Sequence, residues 1–197
     1  LPPLMERVPE ERRDELRRVI AASGAPEAAL NRLETWAAAM ALSAVTFRDL
    51  GLNPALGVEK GLEGNYKAEG RRVVGLETVE EQLSFFDPLS EGAQRQFLTA
   101  VLDDPEEARR QFAAMLRTWS TGDVEGIART FDTELKQSPE LREALLVRRN
   151  PDWAEWIDAR MDRPGTVLVA VGAGHLAGAE SVQRMLEARG IEVTRVQ

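Results

Sequence analysis

The sequence has no cysteine, one histidine and one tyrosine among its 197 residues. Without thiols there are no disulfides and no thiolate metal sites. That absence leaves cytoplasm and periplasm equally open. With a single imidazole, any metal held by this chain must draw most of its ligands from carboxylates. No apolar run approaches the roughly 18 residues that a membrane helix needs. The most apolar stretch, residues 36–45, is Ala-rich and reads as a buried helix. Bases are the minority, 25 Lys and Arg against 33 Asp and Glu, for a formal net charge of −8. Such a surface repels phosphate backbones and argues against a nucleic-acid partner. The chain begins at Leu1 rather than Met, and the expectation is that preceding residues, with any targeting segment, are missing. The compartment therefore stays open between periplasm, membrane surface and cytoplasm.

What is present suits one globular domain covering 1–197, with 43% hydrophobic and 29% charged residues. Helical periodicity dominates residues 5–161. Pro9, Glu10 and Glu11 open a helix whose stripe is Leu16, Val19 and Ile20, and Gly24 ends it. Leu30, Leu33, Ala37, Met40, Ala41 and Ala44 recur at three- and four-residue steps. Residues 71–76 form a short strand candidate. Thr78 and Glu81 then have the spacing of a capping box. Further helices follow, and Asn150-Pro151 marks a break or kink. Residues 166–172 are a continuous β-rich apolar run, as in a strand buried on both faces. A helix over 179–189 and a closing strand over 191–196 complete a βαβ unit. The predicted class is α/β, a small mostly parallel sheet with a large helical insertion.

His175 lies in Gly172-Ala173-Gly174-His175, just past the carboxyl end of that buried run. Open α/β sheets place their sites at this edge, and an imidazole there can bind metal or move protons. The plainer alternative is a turn histidine that caps the next helix. The Gly spacing departs from nucleotide-binding fingerprints, so a phosphate cradle fits poorly. Glu77 follows the first strand candidate directly. If the strands run parallel, it shares an edge with His175, and one carboxylate plus one imidazole is half of a hydrolytic metal site. Its alternative role is to favour a helix N-terminus. Arg149 and Asn150, beside Trp153, can bind a carboxylate or steady an oxyanion, or can form a solvated face. Glu59 is a further acid near a loop, with a surface pair to Lys60 as its plain reading.

The segments Asn53-Pro54-Ala55-Leu56-Gly57-Val58-Glu59, Val74-Gly75-Leu76-Glu77-Thr78, Val147-Arg148-Arg149-Asn150 and Val171-Gly172-Ala173-Gly174-His175 occur in that order. Their combination resembles the TraB/PrgY/GumN family, relatives of the Tiki metalloproteases, over residues 4–196. The resemblance implies an erythromycin-esterase/ChaN-like α/β fold. It also implies hydrolysis dependent on a divalent metal such as Mn, Co or Zn, with peptides, or else small molecules, as substrates. His175 matches the second Gly-x-x-His motif of that family. Glu77, Arg149 and Asn150 match other recurrent positions, and Glu59 matches an acidic one more loosely. The implied metal ligands are His175, Glu77 and Glu59.

The family's first Gly-x-x-His has no counterpart before Pro9. The chain thus resembles a member cut after its first βαβ segment. It is expected to be catalytically incomplete alone and to leave an unpaired sheet edge, which keeps homodimerisation open. The rival expectation is a non-catalytic peptide- or protein-binding module, with Trp36, Phe112, Trp119 and Phe131 around a groove.

Overall fold

The computed structural model describes residues 1–102, 104–135 and 138–196, with the side chains of 134 and 135 left aside. In chain order the helices are α1 (Arg13–Ser23), α2 (Glu27–Leu30), α3 (Thr35–Asp49), α4 (Val58–Ala68), α5 (Val79–Ser84) and α6 (Glu91–Ala100). They continue as α7 (Pro105–Ser120), α8 (Val124–Leu135), α9 (Pro139–Arg142), α10 (Arg149–Met161) and α11 (Val182–Ala188). Short 3₁₀ turns and one π turn, Glu143–Val147, link them. The chain divides into two compact units. One joins Leu1–Val73 to Phe86–Gln111, and the other joins Val74–Phe85 to the residues from Phe112 onward.

In the first unit α3 packs against α1 and α6. Leu16 and Ile20 of α1 meet Ala38, Ala39 and Leu42 of α3 and Leu98 of α6 in one apolar cluster. The Ala pair lets the backbones approach closely, so the apolar stretch at 36–45 is indeed a helix with a buried face. Its opposite side leaves Met40 and Phe47 exposed. Arg7 is sealed inside this unit. It donates to the carbonyls of Pro2 (2.8 Å), Leu33 (2.7 Å) and Asn31 (2.9 Å), which ties the N-terminal segment to the turn before α3. Thr35 donates to Glu91 at 3.0 Å, and Trp36, Phe86 and Phe97 stack in series.

In the second unit α10 packs against α11. Trp153, Ala154, Val182 and Leu186 are buried together, with Leu76, Val171 and Ile191 against them. The capping box is present. Glu81 N–H donates to Thr78 Oγ1 at 3.1 Å, and Thr78 N–H donates to Glu81 Oε2 at 2.7 Å. The helix break falls upstream of Asn150-Pro151. The π turn re-phases the chain, and Pro151 then sits in the first turn of α10, where its missing N–H costs no helical bond.

The expected α/β fold is not what forms. Among the described residues there is no strand and no sheet, and the architecture is helical. Residues 71–76, 166–172 and 191–196 are irregular instead. The reason is non-local. β-rich composition favours extended backbone, but a strand exists only where a second backbone supplies its hydrogen bonds. No backbone hydrogen bond joins any two of these segments. Nor is the central run buried on both faces, since Leu168 is 55% exposed, close to Val74 at 54%. The parallel sheet, its helical-insertion topology and the erythromycin-esterase/ChaN-like arrangement are all replaced by helix packing.

Candidate functional site around His175

The site grows from the first turns of α10. Arg149 and Trp153 are four residues apart, and Asn150 and Trp153 three apart, so Trp153 shares a face with each. Both Asn150 and Trp153 are buried. This turn receives two segments from elsewhere in the same unit, one carrying Glu77 and one carrying His175.

His175 stands in a 3₁₀ turn, Ala173–Leu176, closed by its own N–H to the Gly172 carbonyl at 2.9 Å. Glycine at 174 is a packing requirement. A Cβ there would lie 2.7 Å from Cζ of Phe131, whose ring covers the turn from α8. The imidazole Nδ1 is 2.6 Å from Asn150 Oδ1. Asn150 Nδ2 donates to the Glu180 carbonyl at 2.7 Å. A carbonyl can only accept, so the amide orientation follows, and Oδ1 must be the acceptor toward the ring. Nδ1 therefore carries the proton and Nε2 carries a lone pair. Nε2 has no hydrogen-bond partner among the described residues and is not sealed from solvent.

The electrostatics agree. Burial pushes the His175 pKa down to about 4, the nearby Arg149 guanidinium adds to that, and Glu77 opposes it. At neutral pH the ring is uncharged, with one nitrogen anchored and one open. This is the form in which an imidazole binds a cation.

Glu77 is placed by an equally tight turn. A Cβ on Gly75 would lie 2.6 Å from the Glu77 carbonyl oxygen, so only glycine fits. The Glu77 carboxylate faces α10 rather than a sheet edge. It accepts Arg149 Nε at 2.9 Å and Trp153 Nε1 at 2.9 Å on Oε1, and Arg149 Nη2 at 2.7 Å on Oε2. Arg149 also donates to the Leu145 carbonyl at 3.2 Å. Its guanidinium lies 4.8 Å from the Trp153 ring centre and 5.6 Å from that of Phe85. The Trp153 and His175 ring centres are 4.3 Å apart, tilted by 45°.

Of the residues singled out from sequence, His175, Glu77, Arg149 and Asn150 thus meet around α10. Glu59 is exposed in the first turn of α4, in the other unit. The implied metal also finds no complete site. Among the described residues no three His, Cys, Asp or Glu side chains come together to hold an ion. His175 offers one donor, and both Glu77 oxygens already accept N–H groups. The residues present supply a ligand, not a ligand set.

In sequence Trp153 has the pattern of inward packing and Phe131 that of a groove residue. Both line the site. For Trp153 the available signal was its spacing of three and four from Asn150 and Arg149. Phe131 had no such signal.

The site is a neutral, amide-anchored histidine on a glycine turn, beside an ion pair between Arg149 of α10 and Glu77 of a second turn. The TraB/PrgY/gumN family model matches residues 1–195, and the chain belongs to that family. It is 28% identical over 187 residues to the Uncharacterized protein YbaP of Escherichia coli K12, covering 93% of this chain and 67% of that relative. The YbaP of Shigella flexneri is similar to the same extent. No solved structure matches. Among the described residues no helix is long and apolar enough to cross a membrane.

Proposed function

We propose that this chain carries the His175 site of a divalent-metal-dependent hydrolase of the TraB/GumN type, acting on peptides. The observation that carries the reading is the state of His175. Its Nδ1–H is held by Asn150, and Nε2 is open and unprotonated at neutral pH. That nitrogen can hold a Mn, Co or Zn ion or accept a proton. The remaining ligands would come from outside the cluster seen here. Arg149 is held by Glu77 and lies near enough to the imidazole to depress its pKa, a position from which it can bias an anionic group. The test is calorimetric titration of the full-length protein with Mn²⁺, Co²⁺ and Zn²⁺, followed by peptide hydrolysis. Binding and turnover that His175→Ala removes are the expected result. No binding and no turnover with any of the three ions overturns the reading.

One observation favours a second reading, a non-catalytic peptide-binding module. Helix α7 carries Phe112, Met115, Leu116 and Trp119 along one side yet buries none of its residues. Leu116 and Trp119 are both largely exposed. An apolar face of this kind suits an apolar peptide segment.

A further inference from the structure

We propose that Trp153 is a positioning residue for His175, and that Glu77 acts as the lock on its indole rather than as a metal ligand. The proposal rests on His175 being the reactive group.

Asn150 alone cannot fix the imidazole. A single hydrogen bond at Nδ1 sets the direction of one N–H, and the two side-chain torsions can still tilt the ring plane together while keeping that bond. A second contact must set the plane. The ring packed against His175 is that of Trp153, 4.3 Å away between centres and tilted by 45°. The indole needs fixing in its turn, and its Nε1–H donates to Glu77 Oε1 at 2.9 Å. Glu77 is itself immobilised by the forked pair of bonds from Arg149, at 2.9 and 2.7 Å. Arg149 is anchored by the Leu145 carbonyl and flanked by Phe85 and Trp153. Each step hands rigidity to the next, ending at the imidazole plane.

The same geometry argues against Glu77 as a ligand. Its two oxygens accept three N–H donors, and the charge is already matched by a guanidinium. A cation taking either oxygen would have to displace Arg149 or approach it closely. Glu77 and His175 are buried alike, with the Glu77 side chain 9% and His175 8% exposed, but only the imidazole has an unengaged atom, Nε2, among the described residues.

The experiment uses NMR on the metal-free, full-length protein. The His175 imidazole signal is assigned by its loss in His175→Gln. Trp153→Phe keeps an aromatic ring but removes the N–H. We expect folded protein whose His175 ring protons lose their displacement by the indole ring current and broaden by exchange. The unaltered protein supplies a second measurement that does not depend on how that variant folds. The Trp153 indole N–H should exchange with solvent about a hundredfold more slowly than that of exposed Trp119. His175 signals unmoved in folded Trp153→Phe overturn the proposal, as does an indole N–H at 153 that exchanges as fast as that at 119. Neither readout involves metal or turnover, so the hydrolase reading stands or falls separately.

Discussion

Asn150 holds His175 through a 2.6 Å contact between Oδ1 and Nδ1, and the Glu180 carbonyl dictates which way the amide faces. The pair sets the tautomer of the ring, while burial keeps it uncharged. Asn150→Asp would put a carboxylate beside Nδ1 and favour the imidazolium. The His175 pKa should rise from about 4 by roughly one to three units. Titration of the single imidazole by NMR reads this directly. Asn150→Ala instead leaves a buried N–H and carbonyl unpaired and should cost about 1–3 kcal/mol in urea denaturation.

The same burial makes stability depend on pH in a defined direction. Protonation is disfavoured in the folded state, where the pKa is about 4 against an ordinary 6.5. Stability from this group is therefore complete above about pH 6.5. It falls as the unfolded state takes up its proton, and the loss levels off below about pH 4, where both states are protonated. Allowing for the solvent-open Nε2, the loss amounts to about 2 kcal/mol. Comparing wild type with His175→Gln between pH 7 and 4 isolates it from the carboxylates. The variant should lack this part of the slope.

How much of this could be read in advance depended on range. Local signals were legible, because the Thr78–Glu81 box and the stripe of α1 are written within a few residues. His175, Glu77, Arg149 and Asn150 also stand out in sequence as residue types in order, and the fold brings these four together. Their mutual geometry was not legible. Glu77 and Arg149 are 72 residues apart, and nothing at either position states that they meet. The sheet failed for a related reason. Val167 to Val171 have the composition of a strand, but composition cannot supply the neighbouring backbone that a strand requires. The π turn at 143–147 was equally silent, although it sets which faces Arg149, Asn150 and Trp153 present.

Two glycines shape the site, and their replacements should differ in kind. Gly75→Ala meets backbone, the Glu77 carbonyl at 2.6 Å, so the turn itself must move. Glu77 should leave Arg149, and stability should drop by about 1–3 kcal/mol. Gly174→Ala meets the Phe131 ring at 2.7 Å, which can rotate aside at smaller cost. His175 chemical shifts should change in both variants, with the larger fall in Tm for Gly75→Ala.

Arg7 provides a test confined to the first unit. Its guanidinium satisfies three backbone carbonyls at once, a geometry that a lysine ammonium cannot span. Arg7→Lys should lower stability by about 2 kcal/mol, and Arg7→Met by about 3 kcal/mol or more, since the carbonyls are then left unpaired. Denaturation curves measure both. The His175 NMR signal in the folded variants should stay where it is, because no hydrogen bond of that imidazole comes from this unit.

Helix α7 separates the two functional readings. Leu116 and Trp119 are 46% and 51% exposed, so polar substitution there removes little buried surface. Leu116→Gln with Trp119→Gln should leave stability within about 0.5 kcal/mol of wild type. Their value is in binding. If the protein is a peptide-binding module that uses this face, the double variant should weaken affinity for apolar peptides about tenfold, the loss of roughly 1.4 kcal/mol of contact. His175→Ala should then leave that affinity intact. A hydrolase that reads its substrate near the histidine gives the opposite pattern. The α7 variant retains turnover and His175→Ala abolishes it, so fluorescence-anisotropy binding and peptide hydrolysis on the same pair of proteins decide between the two.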